Sequence, residues 1–183
     1  DVAVVVVDSV LYCWNLRSAE VLYRSEDNAI TLPIAFSANA KTAAIPQTGG
    51  FNLLDTASGQ DRGFVETGDA TAPGVAFNPD GRRLAYCASN AWGVWDAVEA
   101  KKLLSSIVTE HLGNRPIGWI DGDLFLTDSG NLVDTKSQML LWYYYTGPAV
   151  SQQLWYDSIS LATSSQGLTL DTLPMLDVRA KVA

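Results

Sequence analysis

The residues that most often perform chemistry in proteins are sparse in this chain, and their spacing matches no familiar site. Among its 183 residues there is one histidine, His111, and there are two cysteines, Cys13 and Cys87. A zinc site needs several such ligands at close spacing, and a Ser-His-Asp triad needs an activated serine, but no Gly-x-Ser-x-Gly elbow is found. The sequence therefore predicts no catalytic residue, no metal ligand and no cofactor, with His111 in a loop.

Three aspartates, Asp121, Asp123 and Asp128, are of the residue type that binds calcium, which prefers several oxygen ligands. However, the Asp-Gly pair at 121–122 stands in the same turn position as the pair at 80–81, and Asp128 begins an Asp-Ser-Gly turn signal. We interpret all three as turn residues. The 20 acidic residues leave a glycosidase-like carboxylate pair as an alternative, although position singles out no pair.

The charge of the chain excludes several classes of partner. It has 12 basic and 20 acidic residues, which gives a formal net charge of −8. Nucleic acids and anionic lipid surfaces both need basic residues, and no apolar run reaches the roughly 18 to 20 residues of a membrane helix. We predict a protein partner, or a neighbouring domain of the same polypeptide, with no nucleic acid and no membrane insertion. The compartment of this soluble chain is left open between cytoplasm and periplasm.

Two patterns recur about every forty residues, which indicates a repeated supersecondary unit. The first is an apolar segment followed by a turn, as in residues 34–39, 75–81 and 117–122. Its turn residues are Asn39, Asp80, Asp121 and Asp157, which are 41, 41 and 36 positions apart. The second pattern is a hydrophobic residue followed by Asp or Asn, at 14–15, 54–55, 95–96 and 133–134, with 170–171 as a fifth candidate. Because the two patterns stay in step, they predict one unit repeated along the chain.

The clearest unit covers residues 73–116. Its predicted strands are 74–77, 83–88, 92–96 and 102–107. The Asn-Pro-Asp-Gly segment at 78–81 predicts a tight hairpin between the first two, because Pro presets φ and Gly accepts positive φ. Four short antiparallel strands joined by tight turns make one blade of a β-propeller.

The whole chain, residues 1–183, is predicted to be a single all-β unit. It is a β-propeller, or a contiguous segment of one, with about four to five four-stranded blades. The predicted blade limits are 1–31 (partial), 32–72, 73–116, 117–147 and 148–183 (partial). Cys13 and Cys87 occupy different positions of their units, so we predict two buried free thiols rather than a disulfide.

Both ends of the chain predict an open ring. The first unit lacks an opening strand, and the last has a predicted strand at 168–170 followed by Pro174, which a strand ladder resists. The chain does not begin with Met, so we expect its start to be a cut edge of a longer protein. An open ring leaves apolar blade faces exposed, or covered by another chain.

The clearest unit resembles a WD repeat. Residues 75–85 resemble the family's first strand, turn and second strand, and residues 94–96 resemble its Trp-Asp ending. The Gly-His pair that usually precedes each blade is absent, so the chain resembles the degenerate WD-like repeats of bacterial multidomain proteins. The resemblance implies a non-catalytic scaffold that binds proteins, as a module of a larger protein. The alternative is an enzyme or carbohydrate-binding propeller with a polar central-channel site, and a structural spacer is a third reading.

The aromatic residues divide into packed and surface candidates. Trp14, Trp95 and Trp119 lie in strand positions, which predicts packing between blades. Trp92 follows a polar break, so it is placed either in the core or on a loop that meets a partner. Residues 142–145 are four aromatic residues in the predicted outermost strand, where side chains alternate between the two faces. We therefore predict that one pair packs on a neighbouring blade and that the other faces another domain. The predicted partner-binding residues are Trp92, Asn90, Asn114, Arg115, Asp128, Trp142 and Tyr144.

Overall fold

The computed structural model shows five antiparallel β-sheets that follow one another along the chain. It describes residues 2–8, 10–25, 30–68, 71–109, 111–144, 151–155, 158–163 and 169–174. These residues form strands, turns and bends without a helix, as predicted for an all-β chain. Nowhere in these ranges is there a helix with the length and apolar character that a membrane crossing requires.

Three complete four-stranded sheets lie between two three-stranded ones. The first sheet contains β1 (Val2–Val7), β2 (Val10–Asn15) and β3 (Glu20–Ser25). The second contains β4 (Ala35–Phe36), β5 (Thr42–Gln47), β6 (Gly50–Asp55) and β7 (Asp61–Glu66). The third contains β8 (Gly74–Phe77), β9 (Arg83–Ala88), β10 (Ala91–Asp96) and β11 (Lys101–Ile107).

The fourth sheet contains β12 (Pro116–Trp119), β13 (Leu124–Thr127), β14 (Asn131–Asp134) and β15 (Met139–Tyr143). The fifth contains β16 (Ser151–Trp155), β17 (Ser158–Thr163) and β18 (Thr169–Pro174). Within each sheet the strands are paired in chain order. The first strands β4, β8, β12 and β16 contact one another in succession. They therefore form the inner edge of the arrangement, and β7, β11 and β15 form its outer edge.

The recurring hydrophobic-Asp pattern is explained by one turn that is built four times. At the end of the third strand, Asp55 accepts hydrogen bonds from the backbone N–H groups of Ala57 (3.1 Å) and Ser58 (3.0 Å). Asn15, Asp96 and Asp134 begin the same turn. Its last residue has a left-handed φ in every copy: Ala19 (56°), Gly59 (72°), Ala100 (51°) and Gln138 (58°). We call residues 15–19, 55–59, 96–100 and 134–138 the Asp turns.

The hairpin predicted at residues 78–81 is confirmed. Gly81 has a φ of 73° and lies between the end of β8 and the start of β9. Its N–H donates to the Asn78 carbonyl (2.9 Å), and Asp80 Oδ1 accepts the N–H of Arg82 (2.7 Å). A Cβ on Gly81 would approach Ala38 N to 3.2 Å, so the turn also touches the preceding sheet.

Each of the three junctions between the first four sheets buries a separate apolar cluster. Between the first and second sheets this cluster contains Leu11, Ala43, Ile45 and Leu54. Between the second and third it contains Ala44, Phe51, Leu53, Val65, Val75, Leu84 and Tyr86. Between the third and fourth it contains Ala85, Cys87, Trp92, Val94, Leu112, Trp119, Phe125 and Val133. Stability is therefore distributed over successive interfaces, as in other repeat proteins.

Of the three tryptophans predicted to pack between blades, two do so. Trp119 is buried, and its Nε1–H donates to the Ala76 carbonyl at 2.9 Å. Trp95 packs against the cluster between the second and third sheets. Trp14 is 37% exposed, so the prediction for this residue is wrong. The physical reason is that, within the described ranges, no other sheet packs on its side of the first sheet.

The last sheet extends further than the sequence indicated. β18 runs to Pro174, which lies opposite Ser158 at the end of the strand. β18 is an edge strand in the described part of the fifth sheet, and an edge is where a ladder tolerates proline. The pair at 170–171 lies near the beginning of β18, whereas the other copies of the pattern end their strands. It is therefore not a fifth copy of the pattern, and Asp157 lies outside the described residues.

Candidate functional site

The loop that leaves the third sheet is fastened to the fourth sheet by one carboxylate. Asp128 Oδ1 accepts hydrogen bonds from the N–H groups of Asn114 (2.8 Å) and Arg115 (3.3 Å). Its Oδ2 also lies 4.0 Å from Arg115 Nε. Gly113 has a φ of 102°, and a Cβ there would lie 2.1 Å from Asp128 Oδ1. Glycine is therefore required by both the backbone and the carboxylate.

A second set of hydrogen bonds completes this junction. Asn131 Nδ2 donates to the carbonyls of His111 (3.2 Å) and Leu112 (3.4 Å) and to Ser129 Oγ (2.8 Å). Ser129 Oγ in turn donates to the Leu112 carbonyl. Sequence reasoning missed Ser129 and Asn131. Their only signal was the Ser-Gly-Asn run after Asp128, which indicated a turn but not its partner.

Beside this junction lies a pocket of about 590 Å³. Its lining residues are His111, Ser129, Asn131, Leu140, Leu141, Trp142 and Tyr143. The polar members come from the fastened loop and turn, and the apolar members come from the outermost strand β15. Trp142 and Tyr143 are 42% and 55% exposed, so two adjacent aromatic rings form the rim.

The exposed aromatic pair differs from the predicted pair. Trp142 and Tyr144 were predicted at the surface, but Tyr144 is only 6% exposed and its N–H donates to the Gly130 carbonyl at 2.8 Å. Strand alternation does not extend to Tyr144, because β15 ends at Tyr143 and Tyr144 lies beyond the strand. Tyr143, which sequence reasoning did not select, takes the exposed place on the edge strand.

Trp92 also proves to be a core residue. It is 1% exposed and makes an edge-to-face contact with Phe125, with ring centroids 5.8 Å apart. Of its two alternatives, core packing is therefore the one observed, and its assignment as a partner contact is wrong. The polar break before it is the β9–β10 turn, and β10 starts at Ala91. Trp92 is thus already inside a strand that faces the fourth sheet.

The remaining predicted residues lie together at one end of the third and fourth sheets. Asn90 is exposed in the β9–β10 turn, and its carbonyl accepts the N–H of Val108 (2.9 Å). The neighbouring Ser89 carbonyl accepts the N–H of Leu112 (2.7 Å), which joins this turn to the loop with Asn114, Arg115 and Asp128. We call residues 89–90, 111–115, 128–131 and 142–143 the loop-end surface.

The opposite end of the sheets is occupied by structural ion pairs. Arg82 Nε lies 3.1 Å from Asp96 Oδ2, and Arg83 Nη1 lies 3.0 Å from Asp123 Oδ1. Burial acts to raise the pKa of Asp96, but hydrogen bonds from the Glu99 N–H and from Arg82 outweigh it and lower that pKa. Asp96 is therefore held as an anion by its own turn and by Arg82.

The three aspartates considered for calcium are not brought together. Asp121 Oδ1 accepts the N–H groups of Asp123 (2.7 Å) and Leu124 (2.8 Å) at one end of β13, and Asp128 follows the other end. In the described ranges, no three His, Cys, Asp or Glu residues are grouped as metal ligands. Cys13 and Cys87 are buried free thiols, as predicted, and burial raises the pKa of Cys87.

Comparison of the sequence with protein-family models and with curated proteins finds no match. Among solved structures, BamB from Moraxella catarrhalis is similar, with a TM-score of 0.69 and 14% identity over 96% of this chain and 57% of its own. The C-terminal WD40 domain of Sif2 has a TM-score of 0.64 and 14% identity over 89% of this chain and 51% of its own. Hydrazine synthase from Kuenenia stuttgartiensis has a TM-score of 0.63 and 13% identity over 93% of this chain and 61% of its own.

These likenesses establish the fold. The chain has the architecture of a β-propeller, and its sheets are propeller blades, as the repeated units and the resemblance of residues 75–85 implied. The chain spans between half and two thirds of the length of these three structures. Sequence identity of 13–14% carries no information about activity or partners.

Proposed function

We propose that this chain is a non-catalytic protein-interaction scaffold, a WD-repeat-like propeller module of a larger protein. The observation that carries the proposal is the exposed pair Trp142 and Tyr143 at the rim of the pocket on the loop-end surface. Aromatic side chains are enriched among the residues that dominate binding energy at protein interfaces, especially next to a pocket that excludes water. Loops at the ends of rigid sheets are also where such scaffolds carry function.

The chemistry of the pocket supports binding rather than catalysis. None of the described lining residues carries a carboxylate, and Ser129 and Asn131 are already engaged in holding the loop. Among the lining residues that the structure describes, His111 is the one titratable polar side chain, and no carboxylate stands beside it there to form a general acid–base pair.

The inner edge gives no support to the alternative of a polar central-channel site. The strands β4, β8 and β12 read AF, GVAF and PIGW, and β16 reads SQQLW. None of these sequences contains an acidic, basic or histidine residue. A channel that performs hydrolysis needs convergent titratable groups, and these strands do not supply them.

The rigid support of the surface favours a preformed binding site. The two loops that carry Asn90 and Asn114 are joined to each other and to Asp128 by backbone hydrogen bonds. A partner would therefore meet a surface that is already ordered, which reduces the entropy lost on binding. Its apolar side chain would enter the pocket, and Arg115 and Asn114 would contact its polar margin.

Site-specific photocrosslinking tests the proposal. A benzoylphenylalanine at position 143, introduced in cells of the source organism, is expected to yield a discrete protein adduct. Val98, which is 72% exposed in an Asp turn at the opposite end of the third sheet, is the control position and should yield none. Equal adducts at both positions, or none at 143, would contradict the proposal.

The identified partner then permits a measurement of affinity. Trp142→Ala is expected to weaken binding by about 30-fold, because an aromatic hot spot contributes about 2 kcal/mol or more. Val98→Ala serves as the matched control and should leave the dissociation constant unchanged. Binding that is insensitive to Trp142 and Tyr143 substitutions would place the partner on another surface.

A further inference from the structure

A cleft of about 480 Å³ lies where the second sheet meets the third, and we call it the inter-blade cleft. Thr67 and Gly68, which follow β7, form its wall on the second sheet. The wall on the third sheet includes Tyr86 of β9 and the end of β11, residues 105–107. Ligand sites in proteins commonly have volumes of about 300–1,000 Å³, so the inter-blade cleft is large enough for a small ligand.

Tyr86 has a buried hydroxyl group without a hydrogen-bond partner among the described residues. The residue is 1% exposed, and its ring lies across Gly93 of β10. A Cβ at position 93 would be only 2.4 Å from Tyr86 Cζ and Oη, so glycine is needed there to admit the ring. Buried hydroxyl groups are nearly always paired, because an unpaired one costs free energy. Since Tyr86 lines the inter-blade cleft, a ligand there can supply the missing acceptor.

The equivalent hydroxyl of the fourth sheet is paired from within its own sheet. Counted back from the Asp turns, Tyr86 and Thr127 occupy equivalent positions on the second strands of their sheets. Thr127 Oγ1 lies 3.1 Å from Ser129 Oγ and also accepts the N–H of Asn131 at 3.2 Å. On β10 the residue opposite Tyr86 is Gly93, which has no side chain to offer. The hydroxyl of Tyr86 is therefore exceptional within the repeat.

The lining of the inter-blade cleft favours an uncharged ligand. Burial raises the pKa of Tyr86 and outweighs the effect of Ser105, whose side chain acts to lower it, so the phenol remains a donor. The described lining contains no acidic, basic or histidine residue, and an ion that loses its hydration without a counter-charge is costly to bury. Ser105 and Ser106 can accept as well as donate, and Ile107, which is 79% exposed, adds aliphatic surface. An amide beside an aliphatic group has the matching carbonyl acceptor, N–H donor and apolar part.

We propose that the inter-blade cleft is a binding site for an uncharged amide with an aliphatic side group, whose carbonyl accepts a hydrogen bond from Tyr86 Oη. A segment of a protein partner and a free small molecule share this chemistry. None of the described lining residues of the cleft belongs to the loop-end surface. The inference is therefore independent of the proposed function.

A titration of the ¹⁵N-labelled chain with N-acetyl-leucine N-methylamide tests the proposal, over about 0.1–50 mM because a ligand of this size is expected to bind in the millimolar range. Saturable shifts of the backbone amide signals of residues 105–107 are expected. Tyr86→Phe should weaken binding about fivefold or more, because it removes only the donor. Tyr12→Phe, the same change in the first sheet, is the matched control and should bind as the wild type does. Unmoved signals at residues 105–107, or equal affinities in the wild type and Tyr86→Phe, would overturn the proposal, and so would an equal loss in Tyr12→Phe.

A longer probe distinguishes the two sources of the amide. A capped pentapeptide with a central leucine, flanked by glycine and serine, presents the same group within an extended chain. A higher affinity than that of the shorter probe indicates a peptide segment, and an equal or lower affinity indicates a free small molecule. In both cases the weaker binding by Tyr86→Phe is the criterion for the site.

Thermal melts separate the binding site from an internal role of the hydroxyl. Because the hydroxyl has no partner among the described residues, Tyr86→Phe should melt at the temperature of the wild type or above it. A melting temperature lowered by more than about 3 °C would overturn the proposal, because it would show that the hydroxyl is paired inside the protein.

Discussion

The first and third sheets are built from the same repeat, but they differ in what covers them. Trp92 in the third sheet is 1% exposed, because the fourth sheet lies against it, whereas Trp14 in the first sheet is 37% exposed. Their turns, in contrast, are alike. Asn15 and Asp96 each accept two backbone N–H groups, and Ala19 and Ala100 have φ values of 56° and 51°. Turn geometry is therefore encoded within each unit, and burial depends on the neighbour.

Turn geometry and burial by a neighbouring sheet should contribute to the free energy of unfolding independently of each other. Substitutions in the Asp turns act on local backbone geometry, so their effects should be similar in both sheets. Substitutions of the strand tryptophans act through the facing sheet, so their effects should differ widely.

Trp92→Ala should destabilise the chain by about 3–5 kcal/mol, because it opens a cavity in the cluster between the third and fourth sheets. Trp14→Ala should change the free energy of unfolding by less than about 1 kcal/mol in the monomer, because the ring is already exposed. Urea unfolding at low protein concentration, followed by circular dichroism, measures both values. Equal losses would show that the first sheet is covered in solution.

A comparison of Trp14 with Trp95 also shows how much of the structure can be predicted from the sequence. The period of about forty residues and the turn residues are local signals, so the strands of the third sheet were predicted almost to the residue: 83–88 against β9 at Arg83–Ala88. Trp14 and Trp95 occupy equivalent positions, yet only Trp95 meets a preceding sheet. Nothing in the local sequence distinguishes them, because burial depends on a distant segment.

The candidate site was predicted less completely, for a similar reason. Asn90, Asn114, Arg115 and Asp128 were chosen as loop residues and do lie at one end of the sheets. β15 ends at Tyr143, and nothing in the aromatic run 142–145 marks that end. Tyr144 was selected instead of Tyr143 because strand alternation was extended beyond this point.

Gly81→Val should cost about 1–2 kcal/mol, because a β-branched residue resists the φ of 73° and its Cβ approaches Ala38. This turn belongs to the third sheet and touches the second, so the substitution tests a local and a neighbour effect together. Gly122→Val is the matched control, since a Cβ at Gly122 meets open space and its φ is not left-handed. Comparable losses in chemical denaturation would refute the conformational argument.

Ala100→Gly should stabilise the chain by up to about 1 kcal/mol, because glycine adopts the φ of 51° without the steric penalty of a Cβ. Ala19→Gly in the first sheet should give a similar gain, since its turn has the same geometry. The second sheet already has Gly59 at this position. Urea midpoints of both variants measure the gain. A gain at Ala100 alone would mean that the turn of the uncovered first sheet is not formed in solution.

The smallest expected effect concerns the charge at the start of the Asp turn. Hydrogen bonds from Ser58 and then from Arg62 lower the pKa of Asp55 to about 2, below its unfolded value of about 4. A lowered folded pKa stabilises the native state above pH 4, and this contribution is lost as the pH falls towards 2.

Asp55→Asn should retain a side-chain acceptor for the turn, as Asn15 does in the first sheet, and make stability less sensitive to acid. The reciprocal change, Asn15→Asp, should add acid sensitivity, because the N–H groups of Arg17 and Ser18 would favour the carboxylate. Denaturant midpoints between about pH 2 and 7 measure both variants. Superimposable profiles for the wild type and both variants would show that the turn is held by its backbone alone, in the covered and the uncovered sheet alike.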